Sequence, residues 1–163
     1  MAVDKGTIKA SYPLPAYNYR VTILGVGEAT VIGCSQVNGL DMAVETATYQ
    51  HGLSFLTGEH IMPGRRQAVQ LSLLKGIMAN GAYLSDWMGL NYPIAAPQPA
   101  GLIRKRDMVV DLCNEAGLPV VRWKVAKAMP TRLEGPRFDA NTNEVAFERL
   151  ELIAHELQVD YNP

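Results

Sequence analysis

Residues 42–66 read MAVETATYQHGLSFLTGEHIMPGRR. Residues 42–49 alternate, with Met42, Val44, Thr46 and Thr48 set against Ala43, Glu45 and Ala47, the pattern of a half-buried strand. The alternation then stops. Between Gln50 and Pro63 the chain carries Leu53, Phe55, Leu56, Ile61 and Met62, with Gly52, Gly58 and Gly64 as breaks. This reads as a long apolar extended loop, and a structureless connection of roughly 12–15 residues is uncommon inside a compact domain. Loops run over surfaces, so these side chains either fold back on their own domain or meet a partner. A partner is the expectation, with Leu53, Phe55, Leu56, Ile61 and Met62 making the contact. Arg65 and Arg66 join that set under one of three readings: a solvated loop end, an ion-pair contact to a neighbouring subunit, or an anion site.

On the N-terminal side, residues 1–13 read as a flexible arm ended by Pro13 and Pro15, which disfavour regular structure before them. Residues 17–24 alternate cleanly, Tyr17, Tyr19, Val21 and Ile23 against Asn18, Arg20 and Thr22. Gly25-Val26-Gly27 turns that strand into another over 29–37, stopped by Asn38-Gly39. On the C-terminal side, residues 67–75 alternate again, with Val69, Leu71 and Leu73 facing one way. The period then becomes helical over 80–90, with Tyr83, Leu84, Trp87 and Met88 as the packing face. Asn80 is placed to cap this helix and Gly89 to end it. Pro93, Pro97 and Pro99 make residues 91–101 a semi-rigid connector.

The last third is strand once more. Met108, Val110 and Leu112 share a face, residues 114–117 turn, and Val121, Trp123 and Val125 oppose Arg122 and Lys124. The final strand, 145–155, changes phase: Val145 and Phe147 set one apolar parity, Leu150, Leu152 and Ala154 the other. A β-bulge at Glu148-Arg149 would reconcile them. The expectation is a mainly β fold, an antiparallel barrel or sandwich of about seven strands with one packed helix. It forms a single domain over 14–157, with 158–163 as a C-terminal tail, and the strand over 42–49 belongs to its wall.

The totals narrow the function. Among 163 residues, 48% are hydrophobic, 19% are charged and the net charge is −1, so no excess charge draws the chain to nucleic acid or an anionic membrane. Near-neutrality also gives little protection against self-association. No apolar run approaches the ~20 residues of a membrane span, and the N-terminus lacks the apolar core of a signal peptide. Synthesis in the cytoplasm without membrane insertion is expected.

No constellation for catalysis appears. His51, His60 and His155 lack the spacing of a metal site. Gly25-Val26-Gly27 is a fragment of a dinucleotide fingerprint with no third glycine, and reads as a turn. Cys34 and Cys113 read as small buried hydrophobes. Glu148, Glu151 and Glu156 read as one polar sheet face. No catalytic, cofactor-binding or metal-binding residue is assigned.

Taken in order, a further set of motifs spans roughly residues 12–157. These are Tyr12-Pro13-Leu14-Pro15 before the first strand, Val37-Asn38-Gly39-Leu40-Asp41 with Glu45 and Tyr49 downstream, and Met62-Pro63-Gly64-Arg65. Leu73-Leu74-Lys75-Gly76-Ile77, Ser85-Asp86-Trp87-Met88, Asn114-Glu115-Ala116-Gly117, Trp123, Pro130-Thr131, Gly135-Pro136 and Asn143-Glu144-Val145-Ala146 follow. In this order the chain resembles the tail tube proteins of contractile-tailed phages and the inner tube proteins of phage-tail-like contractile injection systems. The haemolysin-coregulated proteins are related to these. Two departures stand out: a longer Pro-rich connector over 94–101, and Met129 in place of an aromatic residue before Pro130.

The resemblance implies a structural subunit without catalysis that forms six-membered rings. The rings stack into a rigid hollow conduit that sheath contraction drives out. The implied partners are other copies of the chain, a sheath protein, baseplate and spike hub proteins, and cargo in the lumen, either DNA or an effector protein. The implied location is a phage tail or an extracellular contractile particle. Three alternatives remain at this point: a tube-initiator ring at the spike hub, a small β-barrel ligand- or cofactor-binding protein, and a single-ring carrier that holds small effectors in its lumen.

Overall fold

The computed structural model describes residues 12–25, 27–93 and 103–163. Most of the expected N-terminal arm, residues 1–11, and most of the Pro-rich connector, residues 94–102, lie outside the described residues. Among the described residues, ten strands and two helices follow in chain order: β1 (Tyr19–Leu24), β2 (Ala29–Ile32), β3 (Gln36–Asn38), β4 (Val44–Tyr49), α1 (Ser54–Thr57), β5 (His60–Arg66), β6 (Val69–Gly76), α2 (Tyr83–Asn91), β7 (Arg106–Cys113), β8 (Pro119–Glu134), β9 (Phe147–Ala154) and β10 (Glu156–Tyr161). The mainly β, antiparallel expectation holds, with more strands than the turns alone revealed. The single strand read over 29–37 is two, because the chain breaks at residues 33–35 between β2 and β3.

Eight strands form one connected sheet in the order β2-β1-β7-β8-β9-β6-β3, with β10 also paired to β8. The 16-residue β8 is the member that spans it. Its first half pairs with β7 and β10, and its second half, from Met129 on, pairs with β9. The turn between the halves is at Ala126-Lys127, where the β7 register jumps and Lys127 takes a φ of 55°. A left-handed lysine is costly for an L-residue. It is fixed here by Asp107, whose Oδ1 accepts the Lys127 backbone N–H at 2.8 Å. A bulge of this kind lets one strand pass from one face of a sandwich to the other.

Between the two halves lies the core. Val21 and Ile23 of β1, Met108 and Val110 of β7, Val125 of β8, Leu71 and Leu73 of β6, and Leu150 and Leu152 of β9 are all buried. These are the inward residues of period-two strands. α2 packs into the same cluster through Leu84 and Trp87, both fully buried, while Tyr83 and Met88 are half-buried beside them. Asn91, also buried, fixes the far end by accepting the Arg104 N–H at 2.7 Å, and Trp87 Nε1 donates to the Arg104 carbonyl at 3.1 Å. The helix boundaries differ from expectation. Its N-cap is Ala82 without a side-chain cap, and Gly89 lies inside the helix. Tertiary anchoring at Asn91 carries the helix past the glycine.

Three other expectations are corrected. β9 has no bulge at Glu148-Arg149, and its register with β6 runs unbroken from Val69↔Ala154 to Gly76↔Phe147. The phase change is resolved by polarity instead. Val145 and Phe147 are exposed, and Glu148 points inward to meet its cross-strand partner Lys75 at 3.0 Å, with the lysine side chain 4% exposed. The irregularity between β8 and β9 lies on β8, between Pro130 and Arg132. The tail expected over 158–163 is largely strand, since β10 continues to Tyr161. Residues 42–49 do not enter the wall: among the described residues β4 pairs with β5 alone.

On the solvent face of β1, β7, β8 and β10, Arg20, Asp111, Arg122 and Asp160 stand directly opposite one another in register. Asp111 is 2% exposed and bridges Arg122 at 2.6 Å and Arg20 at 3.2 Å. Burial alone would push its carboxyl up, but the hydrogen bonds and charges of Arg122 and Arg20 outweigh that and hold it below its ordinary value. A lowered folded-state pKa lends stability that is fully present above the unfolded value of ~3.9 and is lost as pH falls through the folded value. The urea midpoint of the subunit should therefore fall on acidification below about pH 4, and less steeply in Asp111→Asn; equal slopes would show that the row is energetically silent. Trp87→Ala should cost about 3–5 kcal/mol by urea denaturation, because it empties the fully buried site under α2.

Candidate assembly surface

The opening stretch folds into a hairpin rather than a loop. β4 and β5 pair antiparallel through Tyr49↔His60, Thr48↔Ile61, Ala47↔Met62 and Thr46↔Pro63. The register then shifts, placing Gly64 against the Glu45 carbonyl, where a Cβ would approach the oxygen to 2.9 Å. At the root, Gln67 N–H donates to the Ala43 carbonyl at 2.9 Å. Gly39, with φ 85°, guides the chain out past Gln70, whose carbonyl leaves no room for a side chain. Loop reading missed β5 because Pro63 and Gly64 interrupt its alternation.

The tip is a single turn of helix, α1, built by local hydrogen bonds. Ser54 N–H donates to the His51 carbonyl at 2.8 Å, His51 N–H to Ser54 Oγ at 2.7 Å, and Leu53 N–H to His51 Nδ1 at 3.1 Å. The His51 and His60 rings stack with centroids 5.9 Å apart. Gln50 and Glu59 hydrogen-bond across the base of the tip. The turn thus supports itself and presents Leu53, Phe55 and Leu56 outward.

What sets the arm apart is the burial along it. Every residue from 41 to 68 is exposed except Ser54, which is half-buried. Phe55 is 80% exposed, Leu56 72%, Ile61 69% and Leu53 59%. Met62 is also exposed, as are Met42, Val44 and Tyr49. The structure therefore gathers Leu53, Phe55, Leu56, Ile61, Met62, Arg65 and Arg66 on one projecting arm. Arg66 makes a 3.7 Å contact with Glu156 in which both side chains are open to solvent, a pair worth little in isolation. An isolated two-stranded hairpin is marginal in water, and a contiguous exposed apolar surface of this kind marks an interaction site.

The remaining clefts are less suited to a ligand. A groove of about 620 Å³ runs between the arm root and β10, lined among others by Val44, Arg66, Val69 and Leu157. A second, about 480 Å³, opens beside Gly25, Glu28, Tyr83 and Arg106. There the Arg106 guanidinium lies over the Tyr83 and Trp87 rings at 5.0 and 5.1 Å, and the buried Tyr83 hydroxyl has no hydrogen-bond partner among the described residues. No group of three His, Cys, Asp or Glu residues among the described residues is arranged to hold a metal ion. Burial pushes the Cys34 thiol up to about 11, with Lys75 opposing the shift, so it stays protonated at neutral pH. No helix among the described residues is long and apolar enough to cross a membrane.

The described residues make an antiparallel β body with one packed helix and an arm whose apolar residues are all exposed, the features of a protein that keeps a contact surface outside its own fold. Residues 15–158 match the family described as T4-like virus tail tube protein gp19, and the chain belongs to that family. It is similar to a chain in the cryo-EM structure of an extracellular contractile injection system, the PVC sheath-tube complex in its extended state. That match has 28% identity, 98% of this chain and 99% of that one covered, and a TM-score of 0.83. A chain in the structure of the anti-feeding prophage cap, the AFP tube terminating cap, is 31% identical, with 99% and 95% covered and a TM-score of 0.79. Hcp1 from Flavobacterium johnsoniae, at 13% identity over 90% and 97% with a TM-score of 0.50, shares the fold. No curated protein matches by sequence.

Because the arm buries nothing in its own subunit, its apolar residues do not hold the subunit together. Phe55→Ser combined with Leu56→Ser should change the stability of the isolated subunit by no more than ~0.5 kcal/mol, read as an unshifted urea midpoint. A larger loss would show that the tip is packed on the body in solution.

Proposed function

We propose that this chain is a structural subunit of the inner tube of a contractile tail or injection system. Six copies form a ring, rings stack into a rigid hollow conduit, and contraction of a surrounding sheath drives the conduit out. The observation that carries this reading is the arm, which spends its apolar residues entirely outside its own fold. Family membership supports the tube, and the strand edges support the ring. β2 and β3 end the strand path, each with one edge unpaired among the described residues, and such edges template pairing with another chain unless they are covered. Ring closure would cover them.

In this reading the subunit has no catalytic role and no cofactor. Its partners are its own copies, the sheath, the baseplate and spike hub, and a cargo of DNA or effector protein inside the lumen. It is made in the cytoplasm and works within an assembled particle outside the cell or on a phage tail. An initiator ring at the hub would differ by stopping after one or two rings, where a main tube protein extends.

Residues 50–59 can be replaced by Asn-Gly, a two-residue connection suited to a hairpin, which keeps the β4–β5 pairing and removes the tip. The expected product is a folded subunit that no longer stacks, whereas the parent chain forms tubes in negative-stain micrographs. Long tubes from the tipless chain would overturn the assembly role of the arm.

A further inference from the structure

Two apolar surfaces stand at opposite ends of the β3–β6–β9 part of the sheet. The arm leaves from the end where Val69 faces Ala154, and β6 and β9 reach their other end where Gly76 faces Phe147. At ~3.3 Å per residue the two ends are about 23 Å apart. Beyond Gly76 the chain runs into Ile77 and Met78, and before Phe147 it comes from Val145. Ile77 N–H donates to the Ala146 carbonyl at 2.9 Å and holds the two segments side by side. Met78 is 61% exposed, Val145 67%, Ile77 45% and Phe147 38%.

This end is held in shape. Lys75 Nζ donates to Glu148 at 3.0 Å and to the Gly81 carbonyl at 3.2 Å, tying the loop over 77–81 to β9 from inside. Gly81 lies so close that a Cβ there would come within 2.8 Å of the ammonium. A buried lysine bonded in this way fixes the position of a loop whose own apolar residues face solvent. The charges also match: exposed Glu144 beside Val145, and Arg65 on the arm, each lack an ion pair among the described residues.

We propose that the patch formed by Ile77, Met78, Val145 and Phe147 is the seat for the arm of a second copy in the adjacent ring. The proposal rests on the ring-stacking reading and supplies its missing half, the surface that receives Leu53, Phe55 and Leu56. Donor and acceptor lie at opposite ends of one subunit, so every copy offers one of each. A contact between two different surfaces that does not close on itself propagates without limit, as a tube requires. Arg65 then approaches Glu144 at the rim of the seat.

The test is a Leu56→Cys, Met78→Cys double variant of the full chain, assembled and treated with a short bis-maleimide, then run on a denaturing gel. The expected result is a ladder extending well past the number of subunits in one ring, absent from either single variant. A ladder stopping at one ring would place the contact between neighbours in the same ring, and tubes without cross-links would remove the contact; either overturns the proposal. If the parent chain itself forms no tubes, the stacking reading fails and this seat with it. As a second measurement, Met78→Asp with Val145→Asp should keep the parental urea midpoint yet yield rings that do not elongate. Elongation at the parental yield would overturn the seat.

Discussion

The structure depends on one hydrogen bond at a strained place. β8 is continuous from Pro119 to Glu134, yet its halves serve different neighbours, and the switch is made at Lys127 with positive φ. Asp107 of the neighbouring strand accepts the backbone N–H there. Without a fixed corner, β9 and β6 could not fold back to enclose Val21, Met108 and Val125 against Leu71, Leu150 and Leu152. The core, the seating of α2 and the placement of the arm all follow from where β8 turns.

Body and arm then divide the chain's apolar residues by purpose. In the body the inward residues of the strands gather in one cluster with Trp87 at full burial. In the arm they remain exposed to water. The polar groups divide the same way. Asp111 and Lys75 are buried but compensated, the first by two arginines and the second by Glu148 and a carbonyl, whereas on the arm Arg66 meets Glu156 only across solvent and Arg65 makes no ion pair among the described residues. Buried charges without partners would be prohibitive, so these pairs are conditions of the fold, while the arm's charges are spare.

Much of the fold was legible in the sequence because period-two alternation survives wherever one strand face is buried. Val21/Ile23, Leu71/Leu73 and Met108/Val110 could be read without coordinates. So could the helical face of Leu84 and Trp87. The arm was legible as a problem and not as a shape: with neither face buried there is no alternation to read, and Pro63-Gly64 disguised β5 as loop. The supposed bulge in the last strand failed for a related reason. Parity assumes that apolar residues point inward, but Val145 and Phe147 point out while Glu148 points in. No local signal marks a glutamate that has a lysine waiting across the ladder. The corner at Lys127 was equally silent, since the carboxylate that permits it is twenty residues away in sequence.

An arm that owes nothing to its own subunit also changes how the sequence can drift. Substitutions across residues 41–68 are released from the packing constraints that govern the body, and under the proposed stacking they answer instead to the surface they meet on another copy. Under that proposal tip and seat can co-vary as a lock and key while the β body stays fixed. Two tube proteins with the same body would then be kept from mixing by a few residues in this segment alone.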